Sequence, residues 1–362
     1  MQCFDVDVIK IEAGESTAIT SLVRGKNDRL YAGLTSYGNA LVEVDPKTLD
    51  VKDLGPIFEP IDGGLLHHKI HNGLAVADDG TIWIGEGSAI SPNNPVQEFN
   101  LHKYQGGAIH SYRPDTGKFT RHAIPVPHNS IHAMALSPDN RYVAGYTVPD
   151  NHFWSYDIES GEVTDYGQIS NWCCHCVEID ENNTAYCGWL TLNLASSASQ
   201  GHDLGRGVYL TRCDLKAREF EKTNTLVVFG RQYGIAGNVG LDAWCRTRSG
   251  RLFGSTAVGG VIFEVLDGGD AVRHVGKPVL FPRVGSMVED KDGVIWGAAG
   301  YPVMNIFSFH PDEPGSMRDY GPVETSHPLC YFHGMAVMDD GMMFVGETDS
   351  ARSQLFRLTP KK

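Results

Sequence analysis

Apolar and polar positions alternate along most of the chain in short runs, and one order of runs keeps returning. An apolar strand leads to a polar tight turn. A second strand follows and ends near Gly, then come a loop and a third strand closing in a Tyr/Phe/Val-x-Pro/Asp turn. The clearest copies are HNGLAVADDGTIWIG (71–85), HAMALSPDNRYVAG (132–145) and HGMAVMDDGMMFVG (333–346). Weaker copies are TSLVRGKNDRLYAG (20–33), HCVEIDENNTAYCG (175–188), DAWCRTRSGRLFG (242–254) and GSMVEDKDGVIWG (285–297). Period-two alternation marks half-buried strands, and no helical period competes with it. Seven units of roughly 40–50 residues have the spacing of propeller blades. The pattern therefore predicts an all-β, seven-bladed β-propeller occupying residues 1–362 as a single domain. The last unit lacks one strand, while FDVDVIKIE stands spare before the first. Pairing residues 4–12 with 354–359 would close the ring and remove an open sheet edge.

The copies align on their tight turns, at Asp28, Gly80, Asn140, Asn183, Gly250, Gly293 and Gly341. Eight positions earlier stand Thr20, Asn72, His132, His175, Asp242, Gly285 and His333. Equal offsets on equivalent strands point the same way. The expectation is a ring of these side chains at one end of the central channel, with Arg283, two residues before Gly285, filling the gap left there. Loops after the second strands would hang Glu86, Tyr146, Trp189 and Glu347 over the same face. Segments 88–105 and 190–206 are long enough to be lids or binding walls.

Composition narrows the partners. The formal net charge is -14 and the basic residues form no long run. Nucleic-acid affinity depends on clustered Lys and Arg, so no nucleic-acid partner is expected. No apolar run reaches the length of about 18 residues that spans a membrane. The start of the chain lacks the form of a signal peptide. A cytoplasmic protein with no membrane partner is the resulting expectation, an acidic substrate needing a local basic pocket. The eight cysteines form no regular framework, which suits reduced thiols. Cys173, Cys174, Cys176 and Cys187 gather around His175, but strand alternation turns Cys174 and Cys176 away from that histidine, so a closed zinc site is awkward there.

The stretch from KIHNGLAVADDGTIWIGEG through GYTVPDNHFWSYDIESGEVTDYG resembles the seven-bladed propeller polysaccharide lyases of the ulvan and rhamnose–glucuronate type. The resemblance covers blades two and three. It implies cleavage beside a uronic acid by β-elimination, with His71 and Tyr146 at the base and acid positions. The second histidine of that pattern is replaced by Gly85-Glu86-Gly87, which brings His132 forward as the alternative base. An acidic oligosaccharide or other small sugar-derived molecule would be the partner. Asn72, His175, Asp242, Arg283 and His333 would then bind substrate, and no cofactor is required. A weaker resemblance links Asn72, Asp242 and LSPDNRYVAG to gluconolactonase-like propellers. There a divalent metal on His132, His175, Asp242 and His333 would activate water for lactone hydrolysis. A non-catalytic sugar- or protein-binding propeller is the third reading, since this fold serves many functions.

Overall fold

Each repeat becomes one twisted sheet, because its alternating apolar face can be buried only against the next repeat. A computed structural model describes residues 3–55, 58, 68–88, 104–170, 174–192, 205–231, 240–257, 259–301, 303–325, 330–348 and 352–361. Its strands form seven sheets in a ring, so the chain is a seven-bladed β-propeller. Blade three shows the plan, with Ser130–Leu136 innermost, then Tyr142–Val148, His152–Asp157 and Glu162–Gln168. Blade one carries two additional short strands: His68–Lys69 pairs with Leu30–Ser36 on one side and with Gly87–Ser88 on the other. Blade seven is completed by the N-terminal strand: Phe4–Lys10 runs antiparallel to Gln354–Pro360, from Phe4 opposite Pro360 to Lys10 opposite Gln354. The spare first strand thus closes the ring. Among the described residues no helix is long and apolar enough to cross a membrane.

The seven aligned turn residues share one backbone conformation. Their φ values run from 59° at Asp28 and Asn140 to 86° at Gly341. Gly, Asn and Asp are the residues that tolerate this left-handed region, which explains why only they occur there.

Apolar clusters lie between neighbouring blades. Trp83, Ile131, Val143 and Trp154 join blades two and three, for example. Glycines at the ends of second strands act as sockets for the following blade. A Cβ on Gly85 would stand 2.6 Å from the Ile131 side chain, and one on Gly346 would stand 2.4 Å from that of Ile19. Ile131 and Ile19 immediately precede His132 and Thr20. The sockets therefore fix the height at which the inner strands present their channel residues.

Candidate active site at the channel ring

The inner strands reach the channel through bulges. Pairing with the second strand slips between Ile19 and Ser21, Ile131 and Ala133, Val284 and Ser286, and Phe332 and Gly334. In blade five it slips between Leu241 and Trp244. The skipped residues are Thr20, His132, Gly285, His333 and the Asp242–Ala243 pair. A bulge leaves a residue out of the ladder and re-aims its side chain. In blades two and four, Asn72 and His175 precede the inner strands Leu74–Val76 and Glu178–Ile179. Asn72 and Arg283 also hold positive φ, 44° and 70°. Asn tolerates this region, whereas it is costly for Arg, and such outliers cluster at functional sites.

These side chains meet. The ring of His71 stacks on that of His132, with centroids 3.9 Å apart, and lies 4.7 Å from His333 and 5.4 Å from His175. His71 Nδ1 stands 2.8 Å from the His132 carbonyl oxygen. A carbonyl only accepts, so Nδ1 carries the proton and the neutral ring offers Nε2 as an acceptor. His132 Nε2 and His333 Nδ1 are buried and make no hydrogen bond. Asn72 Nδ2 donates to the His175 carbonyl at 2.8 Å, tying blade two to blade four across the channel. Thr20 instead donates to the Ile70 carbonyl at 2.8 Å, so its hydroxyl is spent on the backbone beside His71.

Opposite the stacked histidines lies a saturated charged corner. Asp242 is buried. Its Oδ1 accepts from His175 Nδ1 at 3.0 Å and Arg283 Nη2 at 2.9 Å. Its Oδ2 accepts from Arg283 Nε at 3.0 Å and the Tyr331 hydroxyl at 2.8 Å. The Arg283 guanidinium lies over the Tyr331 ring, 3.9 Å from its centroid.

Burial and charge set the protonation states. Burial first, then neighbouring histidines and Lys69, push His71 and His132 well below the ordinary histidine range. Burial first, then His175 and Arg283, does the same to His333. The three rings are therefore neutral near pH 7. Burial works against ionised Asp242, but the Arg283 charge and the hydrogen bonds from His175 and Arg283 outweigh it, and its carboxyl is held far below the usual carboxylate range.

Several expectations need correction. Tyr146 does not stand on a loop above the face. The strand Tyr142–Val148 continues through it, and Tyr146 is fully buried in the cluster with Phe153, Ile169 and Cys174. Glu86 is buried and bonded to His110 Nε2 at 3.0 Å. Trp189 lies within Thr184–Leu192 and stacks on Tyr209, and Glu347 is buried within Met343–Thr348. Outside blade two, second strands run further than their glycines suggested. At Gly285 a Cβ would stand 2.7 Å from the Tyr331 hydroxyl, so Tyr331 shares that gap with Arg283, whose guanidinium lies over its ring. Tyr331 was missed, although it precedes His333 by two residues as Arg283 precedes Gly285. Lys69, two residues before His71, was missed as well. Segments 89–103 and 193–204, the cores of the expected lids, and Cys173 lie outside the described residues.

The metal-ligand set His132, His175, Asp242 and His333 does not fit. All four acceptor positions of Asp242 are occupied, so binding an ion would require Arg283, Tyr331 or His175 to leave. Among the described residues, no group of three or more His, Cys, Asp or Glu side chains is arranged to hold an ion. Cys174, Cys176 and Cys187 are buried and form no disulfide, Cys187 Sγ lying 2.9 Å from Thr211 Oγ1.

No protein-family model matches the sequence. Nor does any curated protein sequence. Solved structures do match in fold. A streptogramin B lyase aligns over 99% of this chain and 98% of its own, with 13% identity and a TM-score of 0.65. The virginiamycin B lyase of Staphylococcus aureus aligns over 99% of this chain and 100% of its own, with 10% identity and a TM-score of 0.64. The extracellular domain of a hybrid two-component system from B. thetaiotaomicron aligns over 98% of this chain and 40% of its own, with 11% identity and a TM-score of 0.60. At these identities the likeness is one of fold.

Proposed function

We propose that the channel ring is the active site of a lyase that cleaves a uronic-acid-containing glycoside by β-elimination. The observation that carries this reading is the set of three histidines kept neutral beside Lys69 and Arg283. A neutral imidazole is a base at neutral pH without further tuning. His71 Nε2, or His132 stacked against it, takes the proton alpha to the substrate carboxylate. Lys69, whose charge acts on His71, His132 and His333, stabilises the enolate-like charge that develops. The electron pair of the broken C–H bond forms the double bond, and the C–O bond at the β carbon breaks. The imidazolium just formed returns its proton to the leaving oxygen, so atoms and charge balance without an oxidant. Tyr146 takes no part, being enclosed in the blade core. Tyr301, half exposed and edge-on to Tyr331 at 6.0 Å, offers a face for a sugar ring. Two of the fold neighbours are named as lyases, which accords with the reaction class.

The test is incubation with a panel of uronic-acid oligosaccharides, following the ultraviolet absorbance of an unsaturated uronate. The reading expects a signal without added metal. It also expects a loss of about 10²–10⁴-fold in His71→Ala or His132→Ala, the usual worth of a general base. Sugar affinity with no chromophore across the panel would make this a binding propeller instead. Chelator-sensitive acid release from lactones would make it a hydrolase.

A further inference from the structure

Large apolar side chains that reach solvent are few, and they are gathered. Of the eight exposed ones among the described residues, four are Leu280, Phe281, Tyr301 and Val303. Single exposed apolar residues are ordinary, whereas a cluster marks a contact surface. Leu280 and Phe281 lie in the connection from Ala271–Gly276 to Val284–Glu289. Tyr301 and Val303 lie in the one from Ile295–Ala299 to Asn305–Phe309. Both connections stand on the face where the inner strands begin, which is the face of the ring. Gly300 N donates to the Arg283 carbonyl at 2.9 Å and sets the two loops side by side. The Arg283 guanidinium lies over Tyr331, and Tyr301 meets the edge of that same ring. The patch therefore adjoins the charged corner of the ring.

The loops hold these side chains outward. Val279, directly before Leu280, is buried in the core between blades five and six, and Met304, directly after Val303, is buried as well. Pro278 and Pro282 flank the exposed pair and restrict its backbone. Gly260 closes on it from blade five: a Cβ there would stand 3.0 Å from the Phe281 carbonyl oxygen. Loops anchored in this way lose little freedom when their tips are covered, which favours binding. Area and place choose the occupant. At about 200 Å² for a large side chain, exposures of 86%, 47%, 39% and 38% leave on the order of 400 Å² open. A standard protein interface takes about 800 Å² from each partner, so the patch is small for a second copy or another protein. The formal net charge of -14 opposes an anionic membrane surface. An apolar group on the molecule that enters the ring fits both the area and the adjoining position. Sugar hydroxyls alone do not, since Tyr301 is the one residue of the four with a polar side-chain group to meet them.

We propose that this rim is a subsite for an apolar aglycone, so that the substrate is an aryl or alkyl glycoside of the uronic acid rather than a bare sugar chain. The inference rests on the lyase reading for the acidic end of that substrate. In β-elimination from a pyranose uronate, C5 gives up the proton and the C4–O bond breaks. With both atoms at the histidines, C1 lies on the far side of the sugar and directs its substituent out of the channel. The bonds at C1 do not change, so a group there stays on the rim throughout the reaction.

Phenyl and methyl glucuronides are the probes, with binding measured by calorimetry. The phenyl glycoside is expected to bind about ten-fold tighter, the worth of partly burying a ring. Leu280→Ser and Phe281→Ser, both at exposed positions where the fold tolerates change, should each reduce that preference, and the double variant should abolish it. Equal affinities in the native protein, no binding of either probe at millimolar concentration, or an undiminished preference in the double variant would each overturn the proposal. Dimers, or binding to phosphatidylcholine vesicles, that the double variant abolishes would assign the patch to a second copy or to a membrane and overturn it too. The lyase reading fails on different evidence. A phenyl preference with no unsaturated uronate from the oligosaccharide panel removes the cleavage and keeps the subsite, whereas cleavage with equal affinities does the reverse.

Discussion

The two sides of the channel ring use their polar atoms in opposite ways. Around Asp242, every acceptor position is taken by His175, Arg283 or Tyr331, and the carboxylate is held ionised against its burial. Around His71, the rings are close enough to stack, yet His132 Nε2 and His333 Nδ1 bond to nothing and all three of these rings are held neutral. A saturated corner is a fixed wall that sets the local field. Histidines with bare nitrogens are groups that can take up a proton or a ligand. Function is therefore expected on one side of the ring and stability on the other.

The largest expected effect comes from breaking the corner. Asp242→Ala leaves Arg283 buried without its counter-ion and should cost about 3–5 kcal/mol, read by denaturant unfolding. Tyr331→Phe removes a single hydrogen bond to a charged group and should cost about 1.5–3 kcal/mol by the same measurement. If His71→Ala proves more destabilising than either, the division between the two sides is wrong.

The pH dependence of stability separates the sides further. The histidines stay neutral in the native protein below their unfolded value of about 6.5. The unfolded chain then binds more protons, so stability should fall as pH drops through about 6.5 and below. Each neutral histidine adds up to about 1.4 kcal/mol per pH unit to that slope. Asp242 behaves in the reverse sense. Its carboxyl is lowered on folding, so its contribution is intact above the unfolded value of about 3.9 and is lost only as pH falls further. Unfolding curves from pH 7 to 3 should show the histidine loss first. In Asp242→Asn the loss below about pH 4 should shrink while the loss below about 6.5 persists.

The repeat made the fold legible, because seven copies of one turn need the same left-handed residue, and Asp28 through Gly341 provide it. Counting back from those turns also located Asn72, His132, His175, Asp242 and His333. What counting could not show is the bulge at each inner strand, which breaks period-two parity between Ile131 and Ala133 and between Phe332 and Gly334. The two-residue offset that points to Arg283 before Gly285 points equally to Tyr331 before His333. Tyr146 was misplaced because a strand ending near Gly145 was read as the start of a loop. The pairing of Tyr146 with Ala133 carries the strand onward and buries the ring. Such extension depends on the neighbouring strand, and the sequence of one strand does not encode it.

The most direct test of the account is histidine-resolved NMR titration of the whole protein, with His71→Gln, His132→Gln and His333→Gln used to assign the ring resonances. The account predicts that these three rings are still neutral at about pH 6.5, the ordinary histidine midpoint, while the protein remains folded. Protonation of all three together at or above about pH 6.5 would contradict it, since rings already charged there could not serve as the base on this side of the ring.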